Sequence, residues 1–263
     1  ISFDESVTDT VFNWVVQSST GVSGAFDGQG SVLAQQLSTT GLSQGQVVYK
    51  VTPTFNNCTG TSVEVTVFVN PIPPFFGDNS NHPELCSGVD LTSIAFSSPD
   101  PNTIYSYTVT QVGVSGAEDG TFTGSELLIA QLLTTTTTTQ GYVDYEVTAT
   151  LNGCSATSVV VRVYVNPLPR PVLENGTICV DSDNITFQTY LLNTGLAESL
   201  YDFVWFIDGV EQINVNTSTF VAEVVGTYSV LVTNTLTGCE AQPVSAIVTA
   251  IEPATTFTVD VTN

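Results

Sequence analysis

The sequence predicts an all-β chain of tandem β-sandwich units. Three observations lead there: clean alternation of apolar and polar residues in several runs, a long block of text that recurs along the chain, and no extended 3.6-residue apolar periodicity. Thr, Val, Ser, Tyr and Phe are abundant, and branched or aromatic side chains suit a pleated, half-buried surface. With 263 residues the chain can bury a real core, as one large domain or two to three small ones.

The repeat chooses among these. VVYKVTPTFNNCTGTSVEVTVFVNPIPP, starting at Val47, aligns without gaps on VDYEVTATLNGCSATSVVVRVYVNPLPR, starting at Val143. Upstream, VSGA recurs at Val22 and Val114, and AQQL at Ala34 answers AQLL at Ala130. A diverged third copy, GTYSVLVTNTLTGCEAQPVSAIVTAIEP, puts Tyr228, Val230, Val232 and Cys239 in the roles of Tyr145, Val147, Ala149 and Cys154. Proline ends a strand ladder and stiffens a connector, so boundaries are expected at Asn70–Pro74, Asn166–Arg170 and Ile251–Pro253. The expected units are residues 1–70, truncated at the N-terminus, then 71–166 and 167–251, with 252–263 opening a further, truncated unit. Methionine is absent even at position one, so a longer precursor is expected, its signal peptide and anchor lying elsewhere.

Within each copy the strand signals are explicit. Val143, Tyr145, Val147, Ala149 and Leu151 alternate with Asp144, Glu146, Thr148 and Thr150, so one face is core and the other meets water. Val159, Val161, Val163 and Val165 follow across a turn at Asn152 and Gly153, which predicts an antiparallel hairpin closing each unit. Asn56 with Asn57, and Thr237 with Gly238, hold the equivalent turns. Earlier in each copy an aromatic stands mid-strand, Trp14, Tyr107 and Trp205, where immunoglobulin-like sandwiches bury a large ring. The predicted fold is therefore all-β, a series of immunoglobulin-like β-sandwiches joined by short stiff linkers into an elongated, monomeric rod.

Five cysteines follow the repeat. Cys86 with Cys154 and Cys179 with Cys239 bracket the second and third units, so each pair is expected to form its own unit's disulfide in an oxidising compartment. Such bridges would add roughly 4 kcal/mol to each unit on the chain-entropy account. Cys58 takes the second cysteine position of the first unit and is expected to be unpaired, its partner lying before Ile1. No C-x-x-C spacing points to zinc.

Three basic residues against 25 acidic ones leave a net charge of -22, which repels phosphate backbones and anionic lipid surfaces and argues against nucleic-acid binding. No apolar run reaches the length of a membrane-spanning helix, so membrane insertion by this segment is not expected. Catalysis has little to work with: the single histidine, His82, sits in the turn-like NSNHPEL, and Glu118 with Asp119 are adjacent on a turn rather than opposed across a cleft. No catalytic residue and no cofactor are assigned. Calcium is kept as a secondary expectation, with Glu174, Asp181 and Asp183 near a unit junction as its candidate oxygen ligands, although DSDN lacks the glycine turn and distal glutamate of an EF-hand loop. The threonine run from Thr134 to Thr139 reads as an exposed strand or loop, and Asp9–Val11 as a strand edge that also fits a short O-glycosylation pattern.

The phrases GTYSVLVTNTLTGC from Gly226 and FVWFIDG from Phe203, with the repeated block, resemble the PKD-like and Ig-like repeats of large Bacteroidota surface proteins, and the first two copies resemble those of SprB-type flavobacterial gliding-motility adhesins. The resemblance covers essentially the whole chain. It implies a structural and adhesive segment of a cell-surface protein exported by the type IX secretion system and exposed on the outer membrane. The implied partners are the substratum or an extracellular polysaccharide, with gliding and secretion machinery engaged through other parts of the precursor. The alternative is a spacer or carbohydrate-binding accessory region of a secreted polysaccharide-degrading enzyme.

Overall fold

A computed structural model of the chain describes residues 1–4, 9–77 and 84–253. His82 and the start expected for a further unit, from residue 254, lie outside the described residues. Among those residues every regular element is a β-strand. The strands that frame the three sandwiches begin as β1 Val11–Thr20, β2 Gly28–Gly30, β3 Gly45–Phe55, β4 Val63–Val69, β5 Phe76–Gly77, β6 Leu85–Cys86, β7 Ile94–Ser97, β8 Ile104–Val112, β9 Gly120–Thr123, β10 Glu126–Ile129, β11 Gly141–Leu151 and β12 Val159–Asn166. They continue as β13 Gly176–Val180, β14 Thr186–Gln188, β15 Tyr190–Asn193, β16 Tyr201–Ile207, β17 Val210–Glu211, β18 Thr219–Ala222, β19 Gly226–Asn234 and β20 Val244–Ile251.

The second sandwich shows the plan most fully. One sheet runs β10-β7-β5 and the other β9-β8-β11-β12-β6. The alternation read in the sequence appears in β11, where Val143, Tyr145, Val147 and Ala149 are fully buried while Asp144 and Glu146 turn outward. Those side chains meet Ile94, Phe96, Leu127 and Ile129 from the facing sheet in one core. The face-to-face packing of two mainly antiparallel sheets is the immunoglobulin-like sandwich. The third sandwich repeats it, with sheets β15-β18 and β14-β13-β20-β19-β16-β17 around Trp205, Tyr228, Phe203 and Ile178. In the first, β2-β1-β3-β4 encloses Trp14, Val47, Tyr49 and Val51.

In both complete sandwiches the first strand lies parallel to the last. β6 pairs with β12 through Leu85–Val165 and Cys86–Asn166, and β13 pairs with β20 from Gly176–Val248 to Cys179–Ile251. Among the described residues all other strand pairs are antiparallel. This places Cys86 and Cys179 at the end of the sandwich where the last strand finishes. The hairpin turn lies at the opposite end. There Asn152 and Gly153 take φ of 49° and 80°, and the two-residue strand Cys154–Ser155 folds back on Leu151 and Thr150.

That geometry corrects the expected disulfides. An eight-residue strand such as β12 spans roughly 23 Å, whereas a disulfide needs Cα atoms within about 7 Å. Cys86 and Cys154 therefore sit at opposite ends of one sandwich, as do Cys179 and Cys239. The bond that forms is Cys86–Cys239, with Cα atoms 5.5 Å apart across a sequence separation of 153, and it joins the second sandwich to the third. Cys154 and Cys179 are free thiols, and Cys58 is free and exposed.

Candidate functional site

The junctions between sandwiches gather the polar chemistry that the repeat preserves. At the end of β12, Asn166 is buried and clamped. Gln140 donates to its Oδ1 at 2.8 Å, its own Nδ2 donates to Glu84 Oε2 at 2.7 Å, and its carbonyl accepts the Ser87 amide at 2.9 Å. Gln140 also donates to Glu84 at 3.0 Å, which closes the triangle. Ser87 continues the network by accepting the Thr135 amide at 2.9 Å. Cys86 stands in register with Asn166 and carries the disulfide to Cys239, whose carbonyl in turn accepts the Asn234 amide at 2.9 Å in the long turn after β19.

The preceding junction is built from the same residues one repeat earlier. Gln44 donates to Asn70 Oδ1 at 2.7 Å, as Gln140 does to Asn166. The partners on the other side differ: Asn70 Nδ2 donates to the carbonyl of Asn152 at 3.1 Å, and the Cys154 thiol lies 3.9 Å from the Asn70 carbonyl. The hairpin turn of the second sandwich thus rests on Asn70, the residue that follows the first sandwich's final strand.

The predicted core rings share one ladder position, with Trp14 opposite Val51, Tyr107 opposite Val147 and Trp205 opposite Val230. Trp205 is fully buried and its indole N–H donates to the Thr217 carbonyl at 2.9 Å. Trp14 is 6 % exposed, with an indole nitrogen that has no protein partner. Tyr107 is only half-buried, because the core of the second sandwich takes Tyr105 fully and lets Tyr107 pack beside Tyr145. Glycine makes room for these rings: a Cβ on Gly28 would lie 2.7 Å from the Trp14 ring.

Two further devices escaped the sequence reading although both lie inside repeated text. Gln35 accepts the Tyr49 hydroxyl at 2.7 Å and clamps Phe26 through two backbone bonds, and Gln131 does the same for Tyr145 and Glu118. Asp27 and Asp119 accept the amides of Val16 and Val109, at 2.7 and 2.8 Å, so Asp119 serves as a backbone cap. Burial pushes the Tyr145 phenol up to about 12, and Tyr49, Tyr105, Tyr107 and Tyr228 are raised by the same cause.

The calcium candidates are not brought together. Asp181 uses Oδ1 to accept the amides of Asp183 and Ile185, closing its own turn, and among the described residues no group of three or more His, Cys, Asp or Glu is placed to hold a metal. Among the same residues no helix is long and apolar enough to cross a membrane.

Residues 2–73 match the family model described as a PKD-like domain. No curated protein matches the sequence. Similar solved structures include the human Desmocollin-1 ectodomain, at 11% identity and TM-score 0.28, covering 92% of this chain and 54% of that one. The chicken CNTN1 FN1-FN3 domains align at 10% identity and TM-score 0.33, covering 93% and 90% of the two chains. Sidekick-1 immunoglobulin domains 1-5 align at 13% identity and TM-score 0.29, covering 95% and 54%. The chain thus spans about half the length of the desmocollin and Sidekick structures that it matches.

Proposed function

We propose that this chain is a non-catalytic, tension-bearing segment of an extracellular adhesin, divided into units 1–70, 71–166 and 167–251. The observation that carries the reading is the disulfide between Cys86 and Cys239, which fastens neighbouring sandwiches to each other rather than closing either one. A bond in that place adds nothing to ligand chemistry and much to the integrity of a series of units under pull. It also fits an oxidising exterior, where such bonds persist.

The finer reading is a stalk of a gliding-motility adhesin, exported by the type IX route and displayed on the outer membrane, that contacts the substratum or an extracellular polysaccharide. The acidic surface keeps neighbouring stalks apart. The rings on the outer face of the second sandwich argue against a sugar-stacking platform there, since Tyr142 and Tyr164 meet edge to face at 65° rather than lying coplanar.

The test is live-cell labelling of the source bacterium with an antibody against this fragment. Label travelling along attached cells is the expected result. Fixed surface label would remove the gliding assignment and leave a static adhesin. Signal confined to the medium would overturn the adhesin reading in favour of a secreted enzyme's accessory region.

A further inference from the structure

Among the described residues the first sandwich shows no strand in the place that the other two fill beside their last strand. In the second, β6 occupies the free edge of β12, and in the third β13 occupies the edge of β20. The corresponding strand, β4, pairs on one side with β3, and among the described residues its other edge is open. A groove of about 360 Å³ runs along the same side, lined by Phe3, Phe12, Val63 and Val65 among others. In the second sandwich Phe75 and Val159 pack against the core at the equivalent place. Gly77 packs between Phe96 and Val159, which stand at the Phe3 and Val63 positions, and the Phe75 ring lies tilted against Phe96 with centroids 5.7 Å apart.

The junction shows what the absent strand would bring. Beside Asn166 the incoming strand supplies Glu84 to the side-chain amide, the Ser87 N–H to the carbonyl, and Cys86 to the disulfide. Beside Asn70 those roles are taken over by the Asn152 carbonyl and the Cys154 thiol. Cys154 holds the hairpin position that Cys239 holds one unit later, and Cys239 is the residue bonded to a strand cysteine.

We propose that Cys154 is the acceptor for a junction disulfide from a segment of a PKD-like unit carrying a Phe-Phe-Gly then Leu-Cys pattern, like that of residues 75–77 and 85–86. The segment adds in parallel to the edge of β4 and fills the adjoining groove. Its cysteine comes to Asn70 as Cys86 comes to Asn166, and its following amide takes the Asn70 carbonyl, which releases the Cys154 thiol to react. Cys86–Cys239 is then one rung of a repeating series in which the hairpin cysteine of each unit bonds the first-strand cysteine of the unit before. This rests on the repeat-unit reading above but not on gliding or adhesion.

The chemistry is thiol–disulfide exchange. The Cys154 thiolate, its proton given to water, attacks the strand cysteine held as a mixed disulfide with a small thiol. A new S–S bond forms, the old one breaks, and the small thiol leaves as thiolate with the electron pair, so no net oxidation is needed.

The probe is a synthetic peptide with the sequence of residues 74–90, its cysteine present as the glutathione mixed disulfide. It is mixed with the chain in the Cys86–Cys239 form, and adducts are mapped by peptide mass spectrometry. Cys154 is expected to react roughly tenfold or more faster than Cys58 and Cys179, because docking raises the local concentration of the reacting group. Replacing the residues equivalent to Phe75 and Leu85 by Asp in the peptide should abolish that preference. Equal labelling of the three cysteines, or a preference that survives those replacements, would overturn the proposal. So would a peptide-independent dimer in which a second copy's Cys86 bonds Cys154 and leaves Cys239 free. The gliding reading can fail in the labelling experiment while this exchange succeeds, so the two failures are distinguishable.

Discussion

Pulling the chain between its two ends should give a trace that depends on one bond. Force entering at the N-terminus reaches Cys86, crosses to Cys239 and leaves through β20, so the residues between the two cysteines carry no load while the bond is intact. The loaded path beyond the bond is mostly β20, already extended at about 3.3 Å per residue, so pulling it gains little length and does little work against the third core. The 153-residue separation corresponds to a hidden contour of about 520 Å at about 3.4 Å per residue, less the 5.5 Å that the bond already spans.

The assay is single-molecule force spectroscopy on the chain held by its termini, with and without reductant. The oxidised protein should show extension from the first sandwich and little else. Reductant, or Cys239→Ser alone, should add about 500 Å in total. Cys154→Ser should leave the oxidised trace unchanged, whereas a bridge inside the second sandwich would make that substitution release length. Identical traces with and without reductant, or length released by Cys154→Ser, would refute the load-path argument.

Other substitutions test the cores. Trp205→Ala removes a fully buried ring and leaves the Thr217 carbonyl without its donor, and should cost about 3–5 kcal/mol in the unfolding of the third sandwich by chemical denaturation. Gly28→Ala forces a methyl against the Trp14 ring and should destabilise the first sandwich by about 1–3 kcal/mol, with the others unmoved. Tyr145 has a folded-state value raised from 10.0 to about 12 by burial. Its contribution is thus complete below pH 10 and is lost as pH rises towards 12. Tyr145→Phe should flatten the alkaline loss of the second sandwich in a pH series of thermal melts, at the expense of the hydrogen bond to Gln131.

What the sequence carried openly was whatever has a short period. The alternation in β11 survives intact because a strand with one wet face must alternate, and the turn at Asn152 and Gly153 is legible because both residues adopt a left-handed backbone that few others tolerate. Ring burial was legible only to within two residues: Tyr105 and Tyr107 share one face of β8, and which is buried more deeply depends on the facing sheet. The glutamine clamp on Tyr145 and the Asp119 cap on Val109 depend on strand pairing, which single-strand patterns do not encode. The junction network depends on it further, since Gln140, Asn166 and Glu84 meet only once β6 lies parallel to β12.

The cysteines show the same limit and lead to a sharper thermodynamic expectation. Counting assigns two to each complete repeat, but strand direction sends them to opposite ends, so the partner within reach belongs to the neighbour. A bond across a junction stabilises both sandwiches but is counted only once. If either sandwich unfolds while the other stays native, the bond closes a loop of one unit and opposes unfolding by roughly 4 kcal/mol, whereas unfolding both closes the whole 153-residue loop at roughly 5 kcal/mol. The second of the two to unfold thus meets only about 1 kcal/mol of further resistance from the bond. Cys239→Ser, followed by hydrogen exchange resolved along the chain, should therefore lower the opening free energies of the second and third sandwiches together and leave the first unchanged. A loss confined to the third sandwich would mean that the bond acts within it, and the coupling across the junction would be wrong.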